Sequence, residues 1–119
     1  VTSSKRQKGR GFELRAAEYL RELGYDILEK NWQAGHKEID LIAQKENVIV
    51  FVEVKAAIGT QFGHPAEWVD KRKRKNLIMA AEQYIADRKL KNVDYRFDLI
   101  TFYKGKLEHY ENAFGEEEE

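Results

Sequence analysis

Residues 38–55 read EIDLIAQKENVIVFVEVK, and the way this stretch pairs with itself decides the fold. Val48-Ile-Val-Phe-Val52 is β-branched and aromatic throughout, the composition of a buried central strand. The strand continues into Glu53, Val54 and Lys55. Upstream, Glu38 to Ala43 is a second apolar run with Asp40 set between Ile39 and Leu41. A carboxylate inside a strand core costs several kcal/mol unless it is paired, protonated or bound to a cation. A chain that carries this cost at both Asp40 and Glu53 is expected to use the pair.

Side chains alternate along a strand, so Glu53 and Lys55 share one face while Val52 and Val54 share the other. A two-residue turn at Glu46-Asn47 makes paired residue numbers sum to 93. Asp40 then stands opposite Glu53 on one face, with Cβ atoms roughly 4.5–5.5 Å apart. A three-residue loop would put the two carboxylates on opposite faces, and Glu-Asn is not a strong turn pair. At an effective dielectric of about 20, bare carboxylates roughly 5 Å apart repel by about 3 kcal/mol. A divalent cation converts that repulsion into affinity. Two carboxylates, a backbone carbonyl and waters make the partly open oxygen shell that Mg²⁺ prefers. Lys55 then points at whatever sits on the metal. The competing reading is a strand that ends in a surface Glu-Lys pair.

The chain of 119 residues has the size of one domain and can bury about two-thirds of its unfolded surface. It has no cysteine, which excludes disulfides and zinc-thiolate sites. No apolar run approaches the ~20 residues of a membrane span and no signal-peptide pattern opens the chain, so a cytoplasmic location is expected. The formal net charge of zero is misleading. Four of the 21 acidic residues are the tail Glu116–Glu119, leaving 21 basic against 17 acidic residues, or +4, over 1–115. The positive charge is clumped at Lys5, Arg6, Lys8 and Arg10, and again at Lys71, Arg72, Lys73, Arg74 and Lys75.

Residues 1–11 read as a polar, basic, flexible arm. Phe12, Ala16, Tyr19, Leu20 and Leu23 recur at helical spacing, which predicts a helix over 12–23 closed by Gly24. Glu13 borders its apolar face; a first-turn Glu favoured by the helix dipole explains it as well as a site role does. Residues 25–32 predict a strand with Tyr25, Ile27 and Trp32 facing the core, and 33–37 a loop. Residues 56–64, with two glycines, read as a loop that either closes over a substrate or simply connects. A second helix is predicted over 70–90, with Asp70 as N-cap and a stripe of Leu77, Ile78, Ala81, Tyr84 and Ile85. Cations in its first turn oppose the helix dipole, by roughly 0.3–1 kcal/mol each when exposed. Lys73 and Arg74 lean toward the packed side. The cluster reads as a phosphate cradle or as a solvated basic helix start. Strands follow over 96–103 and 106–110, and 112–119 reads as a frayed acidic tail. His36, His64 and His109 have no metal-ligand spacing and read as surface or loop residues.

The order helix–strand–strand–strand–helix–strand, with Asp40 followed by Glu53-Val54-Lys55, resembles the PD-(D/E)XK nuclease superfamily. More closely, the chain resembles the uncharacterised bacterial YraN-type family, akin to archaeal Holliday-junction resolvases. The likeness spans residues 9–103. It is carried by Glu13-x-x-Ala16, Tyr19-Leu20, Gly24-Tyr25, Asn31-Trp32, Glu38-Ile-Asp-Leu-Ile42, Phe51-Val-Glu-Val-Lys55, Phe62-Gly63, Lys73 and Arg96-Phe-Asp98. The resemblance implies an α/β fold with a restriction-endonuclease-like core: helix, three strands, helix and strand around a mixed central sheet. It implies that Asp40, Glu53 and the Val54 carbonyl hold Mg²⁺ or Mn²⁺. Lys55 would orient the attacking water and stabilise charge on the phosphate, and Glu13 would line the site from the first helix. The family pattern usually has Gly where Phe12 and Lys37 stand, and a basic residue in place of Ala57.

Three functions follow as expectations. The first is a metal-dependent nuclease hydrolysing phosphodiester bonds in DNA, branched DNA included. The second is a non-catalytic nucleic-acid-binding module of the same fold. The third is a small interaction protein that uses its acidic tail and basic helix. The kinship with junction resolvases suggests a homodimer; nothing in the chain suggests a membrane partner.

Overall fold

The computed structural model describes residues 5–56 and 65–115. The elements are α1 (Lys5–Glu22), β1 (Asp26–Ala34), β2 (Lys37–Lys45), β3 (Val48–Ala56), a 3₁₀ turn (Pro65–Trp68), α2 (Lys71–Asp87), β4 (Asp94–Tyr103) and β5 (Lys106–Phe114). The strands form one sheet in the order β1-β2-β3-β4-β5. All neighbours are antiparallel except β3 and β4, which are parallel. A parallel pair needs a long crossover, and α2 supplies it. The fold is therefore mixed α/β, compatible with a restriction-endonuclease-like core.

The β2–β3 hairpin has the register of a two-residue turn. Leu41 pairs with Val52 and Lys45 with Val48, so pair numbers sum to 93, as the turn at Glu46-Asn47 requires. Glu46 takes φ 54°, and the Gln44 amide donates to its carbonyl at 3.2 Å. The turn also supports the crossover, since the Asp94 N–H donates to the Asn47 carbonyl at 3.0 Å.

Alternation along the central strands splits the core in two. Leu41, Ala43, Val50, Val52, Ile100 and Phe102 pack under Ala16, Ala17 and Leu20 of α1. Ile42, Ile49, Phe51, Phe97 and Leu99 pack under Leu77, Ala80, Ala81 and Tyr84 of α2. A sheet covered on both faces needs apolar residues at successive positions, which is why β3 and β4 read as continuous apolar runs. Asp70 caps α2 as expected, its side chain accepting the Lys73 N–H at 2.9 Å.

Some boundaries and one side chain differ from the sequence reading. The α1 backbone runs back to Lys5, because Lys, Arg and Gln are good helix formers even without an apolar stripe. β5 runs on to Phe114, past the expected end at Tyr110. Asn112, at φ 54°, bends the strand so that Ala113 and Phe114 are buried, and Phe114 stacks on Phe97 at 5.2 Å. His109 is not a surface histidine. Its side chain is 6% exposed, and its Nε2 donates to the fully buried Asp98 at 2.7 Å.

Phe12 packs against Phe102 at 4.9 Å. Lys37 opens β2 without a positive φ; the left-handed position of that turn is Gly35, at φ 65°. The expected 56–64 loop from Ala57 on, including Phe62-Gly63 and His64, lies outside the described residues, as does the tail Glu116–Glu119. Among the described residues no helix is long and apolar enough to cross a membrane.

Candidate functional site

The site forms where two strands stop pairing regularly. The β2–β3 ladder ends at Leu41–Val52, and the β1–β2 ladder passes from Lys30–Leu41 to Trp32–Ile39, skipping Asn31 and Asp40. Asn31 sits at φ 52°, a left-handed conformation that Asn tolerates better than other side-chain-bearing residues. The irregularity turns Ile39 and Trp32 toward the α2 side. The Asp40 side chain then does the work of the missing rung. Its Oδ2 accepts the Val54 N–H at 2.9 Å.

Glu53, one residue before Val54, is only 7% exposed. Its Oε2 lies 2.9 Å from Lys73 Nζ, while its Oε1 is buried with no hydrogen-bond partner; only a protonated Asp40 carboxyl, which bonds Glu53, brings the pair a proton. Burial, and then the charge of Glu53, pushes the Asp40 carboxyl up to about 7; the Val54 N–H acts in the other direction. Glu13 of α1 approaches from the other side of the sheet. Its Oε1 accepts from Asn31 Nδ2 at 2.7 Å, and the same nitrogen donates to Glu38 Oε2 at 2.9 Å. Burial raises the Glu13 pKa; the Asn31 bond opposes the shift and the Asp40 carboxyl adds to it. For Lys73, burial disfavours the charge, but Glu53 and then Asp40 and Glu38 outweigh it and hold the amine above its ordinary value.

Four of the residues predicted from the sequence therefore meet: Glu13, Asp40, Glu53 and Lys73. Lys55 shares the Glu53 side of β3, but its ammonium donates to the Trp68 carbonyl in the 3₁₀ turn. Lys71, Arg72 and Lys75 are exposed on the first turns of α2, and Arg74 is half-buried. Two residues had no assigned role beforehand. Asn31 bridges Glu13 and Glu38; its sequence signals are the Asn31-Trp32 piece of the family resemblance and an Asn inside a strand, a residue that tolerates the left-handed conformation. Glu38 looked like the polar end of a strand.

The donor chemistry suits a hard divalent cation. All the groups are oxygens, two carboxylates lie close enough to perturb one another, and one buried carboxylate oxygen lacks a partner. Among the described residues, no group of three or more His, Cys, Asp or Glu side chains is arranged to hold a metal as it stands. A separate cavity of about 460 Å³ lies between the β1–β2 turn and α2, lined by Trp32, Lys37, Met79, Gln83 and Asp87 among others. None of the clustered carboxylates lines it, so its size says nothing about the chemistry.

A second polar cluster sits on the opposite half of the sheet. Asp98 is fully buried and accepts from Arg96 Nε at 2.9 Å, the Asn112 N–H at 2.9 Å and His109 Nε2 at 2.7 Å. Arg96 also donates to Tyr25 Oη at 2.6 Å, and Tyr19 Oη of α1 lies 3.0 Å from His109 Nδ1. Burial opposes the Asp98 charge, but the bonds from His109, Arg96 and Asn112 hold its carboxyl below the ordinary range. Every oxygen is satisfied, so this cluster ties α1 to β4 and β5.

Comparison with known proteins agrees with the extent of the fold. A family model described as "Uncharacterised protein family UPF0102" matches residues 12–102, from the start of the apolar face of α1 into β4. A UPF0102 protein of Sulfurihydrogenibium sp. (strain YO3AOP1) is 42% identical over 110 residues, covering 92% of this chain and 96% of its own. One from Chloroherpeton thalassium is 44% identical over 108 residues, covering 91% and 82%. One from Clostridioides difficile is 42% identical over 111 residues, covering 92% and 97%. The matched span contains Glu13, Asn31, Asp40, Glu53 and Lys73, and on these grounds the chain belongs to the uncharacterised protein family UPF0102.

Proposed function

We propose that this chain is a metal-dependent nuclease that hydrolyses phosphodiester bonds in DNA. The supporting observation is the buried Glu53 carboxylate, with one oxygen unpartnered, set against Asp40 where the strand ladder opens. Structural carboxylates are normally satisfied on both oxygens, as Asp98 is. An unsatisfied one beside a like charge raises the energy of the fold and is expected where a ligand supplies the missing contact.

In this reading Asp40 and Glu53, with the Val54 carbonyl, hold Mg²⁺ or Mn²⁺. The bound ion supplies Lewis-acid polarisation of the phosphate and acidification of the attacking water. Glu13, oriented by Asn31, holds a water at the edge of the site. Lys55 leaves the Trp68 carbonyl to stabilise charge on the scissile phosphate. Water attacks phosphorus, the bond to one ester oxygen breaks, and a phosphate monoester and an alcohol result. Lys71, Arg72 and Lys75 face outward from α2, where they can meet the DNA backbone.

The test is a Mn²⁺-supplemented cleavage screen over branched and linear DNAs, with Glu53→Gln as control. Metal-dependent product that disappears in the control is the expected result. One observation favours a second reading: Lys73 occupies Glu53, and Lys55 is turned to a backbone carbonyl. A nucleic-acid-binding module that does not cut would keep those contacts. It would retain salt-sensitive DNA binding in Asp40→Asn and give no product strands.

A further inference from the structure

The ammonium at the carboxylate cluster does not come from the Glu-x-Lys strand. Lys73 Nζ touches Glu53 Oε2 at 2.9 Å, while Lys55 donates to the Trp68 carbonyl. The Lys73 contact is built. Asp70 accepts the Lys73 N–H at 2.9 Å and so fixes the first turn of α2 above the site. The two partners differ in freedom, since the Lys73 side chain is 51% exposed and that of Glu53 only 8%. The carboxylate is held in the sheet; the amine reaches in from solvent on a four-carbon stem and can swing back.

Glu53 Oε1, the other oxygen of the same carboxylate, has no partner. A divalent ion bound between Glu53 and Asp40 would place two positive charges beside the ammonium. Like charges at contact distance in a partly buried site repel strongly, so the ion and the ammonium compete for Glu53. Glu13 and Glu38 each accept from Asn31 through one oxygen, and Glu38 adds to the field that holds Lys73 charged.

We propose that Lys73 is the resident counter-ion of Glu53, displaced when a divalent cation binds, and that the released ammonium then takes a phosphate of the nucleic acid. The inference rests on the nuclease reading of the site. It makes metal and polyanion binding cooperative through one side chain. Metal frees Lys73 for phosphate, and phosphate drawn to Lys73 opens Glu53 to metal. Linkage requires the two effects to be equal.

The experiment titrates the full chain with MnCl₂ by calorimetry, as wild type, K73M and K73R, with and without a phosphorothioate DNA duplex that resists cleavage. Without DNA, K73M is expected to bind Mn²⁺ about tenfold more tightly than wild type, because the competing cation is gone. K73R keeps the competitor and should stay near wild type. With DNA, wild type should gain Mn²⁺ affinity and K73M should not. Equal or weaker Mn²⁺ binding by K73M, with wild type binding, overturns displacement and leaves the metal site standing. No Mn²⁺ binding by either chain overturns the metal site and the displacement together. A second measurement needs no variant: lysine ¹³Cε resonances of wild type are followed during Mg²⁺ titration. The Lys73 signal should move to the position of solvent-exposed lysines as the site fills; a fixed signal at saturation overturns the proposal.

Discussion

Asn31 Nδ2 donates to Glu13 Oε1 at 2.7 Å from a backbone held at φ 52°. One residue therefore serves two needs, the left-handed kink and the bridge between carboxylates. Substitutions can separate them. Asn31→Gly loses only the bridge, whereas Asn31→Ala loses the bridge and adds the left-handed penalty of roughly 1–2 kcal/mol. Urea unfolding should rank wild type above Asn31→Gly above Asn31→Ala. Equal stability of the two variants would show that the kink relaxes.

Asp40 gives a pH test. Its folded pKa, about 7, lies above the ordinary 3.8, so the fold favours its protonated form. That stabilisation is complete below the ordinary value and is lost as pH rises through about 7. At about 1.4 kcal/mol per pKa unit it amounts to a few kcal/mol. With chelator present, wild type should lose stability between about pH 4 and 7 and level off above, and Asp40→Asn should be flatter and no less stable at pH 8. Mn²⁺ should raise the melting temperature of wild type and leave Asp40→Asn unmoved. A variant that melts far lower in chelator would make Asp40 purely structural.

Asp98 predicts the opposite slope. Its carboxyl is held below the ordinary value, so its contribution is present above pH ~4 and lost as pH falls through the lower folded value. Asp98→Asn removes one partner of a buried ion pair and should cost about 3–5 kcal/mol near neutrality. Denaturant melts from pH 2 to 7 should show the wild-type acid loss much reduced in the variant.

The exposed cations of α2 should trade binding against stability. Changing Lys71, Arg72 and Lys75 to Glu places acidic residues near a helix N-terminus, which is favourable by roughly 0.3–1 kcal/mol for each of the first-turn positions 71 and 72. If these residues meet phosphate, the same variant should bind DNA more weakly, with a salt slope shallower by about 2–3. A variant that gains stability with DNA binding unchanged would remove this surface from the proposed interface.

The hairpin was legible because its turn and apolar alternation agree; the register of Leu41 with Val52 follows from both. The Asp70 cap was legible for the same local reason. Asn31 was not, because a left-handed residue within a strand breaks the period-two pattern used to find strands. His109 was misread because its partners, Asp98 and Tyr19, are distant in the chain and meet it only once β5 pairs with β4. Lys73 was placed with the phosphate-facing cations. Its contact with Glu53 depends on how α2 lies over the sheet, which spacing alone does not determine. Lys55 was expected to face the metal, and its alternative acceptor belongs to a turn that residue patterns did not reveal.

The single parallel seam between β3 and β4 also bears on how the chain folds. Asn31, Asp40 and Glu53 lie on the β1–β3 meander, whose strand pairings are short in sequence. Lys73 lies within the crossover that must close before Val48 can meet Asp94. Non-local pairing of this kind is slow relative to hairpin closure. Asp40 and Glu53 are thus expected to approach one another before Lys73 arrives with the crossover. Divalent salt present during refolding should accelerate that step.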